Sequence, residues 1–518
     1  MTTNADTRER LRTPIRARIP IRAPIALAAI VVVYLALGVL YATLTPPWQV
    51  PDEPAHYNYV RHLVEERRLP VLQQGDYDQA YLSEIVDQKF DPAYPIDSIR
   101  YEYHQPPLYY LLLAPVYALS GGALLPLRLT SVLLGAGVVI VAYLVVHKAY
   151  PSRTGLALGT AAFLAFIPQH IAMNAGVQND PLAELILGLV LLRLVSWLRS
   201  DTAWTTRQHA VTGVIIGLGL LTKLSAYVAV PLALVAVVLK YSGSYPRRGR
   251  TSERERGFEG RGLDVQAALA ALAALLLPAL LLGLPWFVRN AVVYGSLDFT
   301  GLGRHAEVVQ GQLTTAQWIA RYGWRQLPGA FVRTTFRSFW GQFGWMAVPM
   351  EWRVYLALRV FSIFAGVGLV FRLVDAWDAG RRPSASLLLL LCSGILTLGS
   401  YLWYNLSFYQ AQGRYLFPAL IPIGLAWTLG LEESLRRRTA PWLAGVLALV
   451  TAYDLFKILR GAGNKWAVLI HGAGMAYVGA GWVLTTRFRA WLLSAPYLFL
   501  VAVCAVSPFW FIVPNLSP

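Results

Sequence analysis

The stretch "IALAAIVVVYLALGVLYATLTPPWQVPDEPAHYNYV", residues 25–60, joins two opposed chemistries. Its first part, 25–45, is an apolar run longer than the ~18 residues that mark a membrane-crossing helix. Its second part places Asp52, Glu53 and His56 just past the end of that run. Ionisable groups beside hydrocarbon are costly, so acids and a histidine at this depth call for a purpose.

The same contrast runs through the whole chain. Of 518 residues, 56% are hydrophobic and only 14% are charged, against roughly 25% charged in an average soluble domain. The composition predicts an all-α polytopic membrane protein. The first apolar run is too long for a cleavable signal peptide, and no small-residue cleavage site follows it. The net charge of +17 does not indicate a nucleic-acid partner, because the arginines sit between apolar runs. Arg8, Arg10, Arg12, Arg16, Arg18 and Arg22 precede the first run and assign the N-terminus to the cytoplasm. Cys392 and Cys504 both lie in apolar runs and offer neither a disulfide framework nor zinc spacing.

Alternating sides from a cytoplasmic N-terminus orders the chain. Residues 1–24 form the basic terminus, 25–45 the first span, and 46–125 a long first outer loop rich in acids. The piece "PPLYYLLLAPVYALSGG" (106–122) is short and rich in proline and tyrosine. If it lies flat in the interface, every later basic cluster falls inside. These clusters are "HKAYPSR", the 242–263 loop, "GRRPS", "RRRT" and "RFR". Residues 126–286 then form a module of spans two to seven, in which 210–222 and 226–240 make a hairpin around Lys223. A second large outer loop covers 287–350, and 351–518 form a C-terminal membrane module. The expected total is about thirteen spans, with the C-terminus outside.

This threading sends the conspicuous polar residues to one face: the 52–56 cluster, "YEYHQPPLYY" (101–110), "NAGVQND" (174–180), Lys223, "PWFVRNAVVYGSLDF" (285–299) and "YQAQGRYLFP" (409–418). Each has a bland reading. Asp52 and Glu53 fit a helix start, and Asp180 before Pro181 fits another. His56 fits an ordinary surface histidine. Lys223 can snorkel, Arg289 and Arg414 can bind lipid phosphate, and the tryptophans can form an interfacial belt. Convergence on one face is what favours a site. A carboxylate beside several cations suits a phosphorylated donor and a hydroxyl acceptor: the acid takes the acceptor's proton and the cations hold the departing phosphate. A membrane-embedded phosphate donor outside the cytoplasm implies a lipid-linked sugar.

These motifs resemble the GT-C superfamily of lipid-phosphate-sugar-dependent membrane glycosyltransferases, in particular its protein O-mannosyltransferase and aminoarabinose-transferase branch. The "DE" pair opens the first outer loop, and "HQPPLYY" stands where the branch has "KPPL.YW". "LLTK" resembles the branch's "lTKG", with Leu224 replacing the glycine, and "PWFVRN" resembles "PW..rn". "QGRYLFP" and "FGWMAVP" resemble a bacterial branch of multi-pass membrane proteins. The resemblance implies a GT-C-like bundle in the bacterial plasma membrane, with amphipathic interfacial helices in the first loop and a site on the extracytoplasmic face. It implies transfer of a hexosyl or pentosyl group from a polyprenyl-phosphate donor to a hydroxyl acceptor, with inversion.

Residue by residue, the resemblance implies Asp52 as general base, with Glu53 supporting it and Asp180 nearby orienting the acceptor or a metal. Lys223, Arg289 and Arg414 would hold the donor phosphate. His56, Glu102, His104, Tyr109 and Tyr415 would complete the substrate site, His104 in place of an absent lysine. A divalent metal, Mn²⁺ or Mg²⁺, would sit on Asp52, Glu53 and His56. Besides donor, acceptor and membrane lipids, no partner is implied. Two other readings stay open: a transporter or flippase, and a ligase or polymerase, both of lipid-linked saccharides.

Overall fold

In the computed structural model, residues 22–242, 264–295, 297–461, 463–484 and 486–517 are described. The basic N-terminus before residue 22 and nearly all of the 242–263 loop lie outside the described residues. Apolar runs without breakers fold as helices, because in hydrocarbon a backbone can satisfy its polar groups only internally. In chain order these are α1 (Arg22–Leu44), α2 (Glu53–Glu65), α3 (Gln79–Asp87), α4 (Leu108–Ser120), α5 (Leu124–Ala149), α6 (Thr154–Ala165) and α7 (Pro168–Asn174). There follow α8 (Asp180–Leu198), α9 (Thr206–Leu220), α10 (Ala229–Tyr241), α11 (Val265–Tyr294), α12 (Leu302–Val308), α13 (Thr315–Tyr322) and α14 (Leu327–Trp340). The last group is α15 (Trp352–Asp378), α16 (Ala385–Ser407), α17 (Leu420–Ser434), α18 (Ala440–Leu459), α19 (Lys465–Val483), α20 (Thr486–Ser507) and α21 (Val513–Leu516). The only named strands among the described residues are β1 (Gln342–Phe343) and β2 (Val348–Pro349), paired Gln342 to Pro349 and Phe343 to Val348.

Among the described residues, eleven helical segments are long and apolar enough to cross a membrane, or twelve if α6 and α7, bent by 63°, are one broken span. This refines the expected thirteen. The segment expected at 210–222 is α9, whose 15 residues are too few for that test. The 106–122 piece is α4, and its 13 residues rise about 20 Å, short of the ~30 Å hydrocarbon core.

Small residues let the helices approach closely, as expected where lipid gives no hydrophobic drive to association. A Cβ on Gly213 of α9 would strike the Leu275 carbonyl of α11, and one on Gly430 of α17 would strike the Ala365 carbonyl of α15. The α5, α8 and Gly413–Ser434 spans form the centre, each 61% buried, whereas α18 is 11% buried and lies at the periphery. Loops from the N-terminal spans and from the C-terminal module meet at one end of the bundle, joined by the bonds described next.

Candidate functional site: a charged cavity at one end of the bundle

A cavity of about 790 Å³ lies at that end. Seven of the eleven expected site residues line it: Asp52, Glu102, His104, Asp180, Lys223, Arg414 and Tyr415. Glu53, His56, Tyr109 and Arg289 do not.

Asp52 occupies the N-cap position of α2 with φ 68°, a left-handed conformation that a non-glycine residue holds at some cost. Its side chain makes no capping bond, so the helix-start reading does not account for it. Oδ1 accepts from the Tyr101 hydroxyl at 2.7 Å, and Oδ2 accepts from Arg414 Nη2 at 2.7 Å. Burial alone would push this carboxyl up. The Arg414 guanidinium, with His56 and the Tyr101 hydroxyl, outweighs burial and brings it down to about 2. Arg414 is placed by its neighbours: Gly413 packs so tightly on α14 that a Cβ would meet the backbone of Thr335 and Phe339. The Gly413 N–H donates to Ser338 Oγ, and Arg414 Nε donates to Gln412 Oε1 at 2.8 Å.

A second pair faces the same cavity. Asp180 begins α8, Lys223 follows α9, and Nζ lies 2.6 Å from Oδ1. On a third side, the short 3-10 turn Tyr101–His104 delivers Glu102 and His104. Glu102 Oε2 is buried without a hydrogen-bond partner. His104 Nδ1 bonds with the Tyr101 carbonyl, and its ring lies 4.3 Å from that of His305 on α12. Burial brings both histidines down to about 4, well below the ordinary 6.5.

The four remaining expected residues do other work. Glu53 is fully buried. Its carboxylate is gripped at both oxygens by Arg128 (2.7 and 2.6 Å) and also accepts from the N–H groups of Val177 and Trp48. Arg128 spends its other donors on the carbonyls of Ala42, Thr45 and Pro46. This lock ties the ends of α1, α2 and α5 to the loop before α8. His56 Nδ1 bonds with the Tyr110 hydroxyl at 2.8 Å. Tyr109 is fully buried, bonding Ser131 and the Gln178 N–H. Arg289 is held by the Pro70 carbonyl, the Asn290 side chain and the rings of Trp286 and Tyr294.

The metal expectation therefore changes. Asp52, Glu53 and His56 do not converge, because Glu53 turns into the Arg128 lock and His56 turns to Tyr110. No group of three His, Cys, Asp or Glu side chains among the described residues is spaced to hold a metal ion.

Sequence reasoning missed Arg128, Tyr101 and His305. A lone arginine three positions into the "PLRLTSVLLG" run was the available signal, since a cation there demands a buried partner. Tyr101 stood inside a quoted motif without a cue to its partner, and His305 carried no local signal.

Comparison with known proteins agrees with this architecture. Residues 104–247 match the family model "Dolichyl-phosphate-mannose-protein mannosyltransferase". No curated protein matches the chain. Among solved structures, ArnT from Cupriavidus metallidurans bound to undecaprenyl phosphate is similar with a TM-score of 0.51 and 16% identity, over 93% of this chain and 77% of that one. The apo state of the same ArnT gives 0.47 and 15%, over 93% and 76%. The Archaeoglobus fulgidus oligosaccharyltransferase tethered to an acceptor peptide gives 0.43 and 13%, over 92% of this chain but 55% of that one. The chain shares the GT-C-type fold of ArnT, and residues 104–247 are similar to the dolichyl-phosphate-mannose-protein mannosyltransferase family model.

Proposed function

We propose that this chain is a GT-C glycosyltransferase that moves one hexosyl or pentosyl group from a polyprenyl-phosphate donor to a hydroxyl acceptor, with inversion. It works at the extracytoplasmic face of the bacterial plasma membrane. The observation that carries the reading is the meeting, in one cavity, of two carboxylates and two cations drawn from four distant parts of the chain: Asp52, Asp180, Lys223 and Arg414.

Each of the two cations is paired with a carboxylate. A donor phosphate competes for both cations, and two positive groups around its oxygens stabilise the charge that grows as it leaves. As Arg414 moves toward phosphate, Asp52 loses the partner that holds its carboxyl low, and its proton affinity rises. The ion pair is thus a latch that makes the base competent only with donor present. Asp52 then takes the proton from the acceptor hydroxyl, the acceptor oxygen bonds to C1 of the sugar, and the C1–O bond to phosphate breaks. The polyprenyl phosphate leaves with the bonding electrons. Tyr101 steadies Asp52 throughout, and Asp180, once Lys223 turns to the phosphate, is free to orient the acceptor. No step is assigned to a metal, because the expected ligand set does not meet.

Reconstituted protein supplied with a synthetic polyprenyl-phosphate hexose or pentose tests the reading. Sugar release or transfer is expected, and Asp52→Asn should lose ~10²–10⁴-fold in turnover while still binding donor. Normal turnover by that variant removes the base assignment. Sugar-lipid that changes leaflet with its glycosidic bond intact makes the protein a transporter instead.

A further inference from the structure

The cavity walls are not alike. One set of lining residues carries the charge, Asp52, Glu102, Asp180, Lys223 and Arg414, with His104 and His305 beside it; this set is the floor. Toward the spans, the lining is Tyr227, Val228, Ser400, Tyr401, Tyr404 and Pro418, an aromatic and apolar surface suited to a lipid tail. A third group comes from the start of α3, the loop before α13 and the β1–β2 turn, and contributes Tyr77, Gln79, Leu82, Gln312, Trp345 and Met346. It contains no acid and no base.

This third wall is built stiffly. Trp345 and Met346 sit in the β1–β2 turn with φ 53° and 70°, following Gly344 at 54°. Three successive left-handed residues are costly and persist only where the surroundings fix them. Trp345 Nε1 donates to the Trp48 carbonyl at 3.0 Å, and its ring stacks on Phe90 at 5.8 Å. Gln342 Nε2 ties down the Met346 carbonyl at 2.7 Å. Packed on the same apolar cluster as Trp345, Tyr77 donates its hydroxyl to Gln79 Oε1, and the Gln79 amide in turn donates to Ser83. The wall therefore offers a rigid indole, a phenol and neutral amides that can both donate and accept.

Resting on the transferase reading above, we infer that this wall is the acceptor subsite and that the acceptor is a neutral saccharide. Amides match the mixed donor and acceptor character of sugar hydroxyls. Indole and phenol rings cover the apolar face of a pyranose or furanose ring at low entropic cost. An anionic acceptor, such as a phosphorylated glycolipid, would find no cation on this wall, and the two floor cations are committed to donor phosphate. Space is adequate: pockets for a single small ligand begin at ~300 Å³, so about 790 Å³ holds a donor sugar phosphate and a further sugar ring side by side.

The test uses the full-length protein in lipid nanodiscs with a radiolabelled polyprenyl-phosphate sugar and three acceptor sets: neutral hexose and pentose trisaccharides, a phosphorylated glycolipid, and a Ser/Thr-rich peptide. Label should move to a trisaccharide. Trp345→Ala should raise the acceptor KM about tenfold, with a smaller change in donor KM, and Trp345→Phe should recover much of the loss. Gln312→Ala, in the half-buried loop before α13, should raise the acceptor KM several-fold. Trp377→Phe, on the far side of the bundle, should change nothing. Label passing only to glycolipid or peptide overturns the inference, as does donor consumed with transfer to water alone. An acceptor KM indifferent to both Trp345→Ala and Gln312→Ala overturns it as well. If the donor is neither cleaved nor transferred at all, the transferase reading itself fails, which is a separate result.

Discussion

Asp52 and Glu53 are chain neighbours of the same chemistry, each paired with an arginine, yet their surroundings differ. The Glu53–Arg128 pair is closed, with side-chain exposures of 0% and 3%. The Asp52–Arg414 pair opens on the cavity, at 23% and 11%. In the first, both carboxylate oxygens are satisfied and the arginine's donors are spent on fixed carbonyls, so nothing remains to exchange. In the second, each carboxylate oxygen has one partner, and a ligand can reach both ions. Identical ion-pair chemistry is a strut in one place and an exchangeable latch in the other. Exposure and the count of satisfied lone pairs decide which.

The largest effect that would break this contrast is on turnover. Asp52→Asn should cost ~10²–10⁴-fold in kcat, measured by donor consumption, with a melting temperature close to that of the parent. Next comes stability. Arg128→Met leaves Glu53 buried and unpaired and should cost ~3–5 kcal/mol. This is expected as a large fall in melting temperature or loss of folded protein from the membrane fraction. If Asp52→Asn destabilises as much as Arg128→Met, the two pairs are alike and the contrast is wrong.

Arg414→Lys sharpens the latch. Lysine keeps the charge but loses the planar fork, so donor KM should rise ~10-fold while the protein stays folded. A further effect concerns pH. His104 and His305 fall to about 4 in the folded chain from an ordinary 6.5, so the fold binds fewer protons than the unfolded chain between those values. Their contribution to stability is complete above about pH 6.5 and is lost as pH falls toward 4, on the order of 3 kcal/mol for each. Melting temperature should therefore decline over that interval, and the double substitution of both histidines by glutamine should flatten the decline. Asp52, at about 2, stays ionised across it.

Much of the fold was legible because the bilayer imposes a length and an apolar rule on every span. The 25–45 run became Arg22–Leu44, and the 226–240 run became nearly all of the Leu224–Tyr241 span. The site was legible only in part. Asp52, Asp180, Lys223 and Arg414 announced themselves as charges at the ends of apolar runs, and all four line the cavity. Glu53 misled because its carboxylate is drawn into the bidentate Arg128 contact, while Asp52, held left-handed before the helix begins, stays at the cavity. Tyr109 and Tyr110 both turn into buried hydrogen bonds. The pairings themselves, Arg128 with Glu53 across 75 positions and Arg414 with Asp52 across 362, are tertiary facts that local pattern cannot carry.

The central claim is that the open pair yields its arginine to donor phosphate. A structure of the full-length protein with polyprenyl phosphate bound tests this most directly. The account predicts phosphate oxygens about 3 Å from Lys223 Nζ and from the Arg414 guanidinium, with Arg414 withdrawn from Asp52 and the Glu53–Arg128 bonds unchanged. Phosphate seated instead beside Arg289, or bound with the Asp52–Arg414 contact intact, would contradict it.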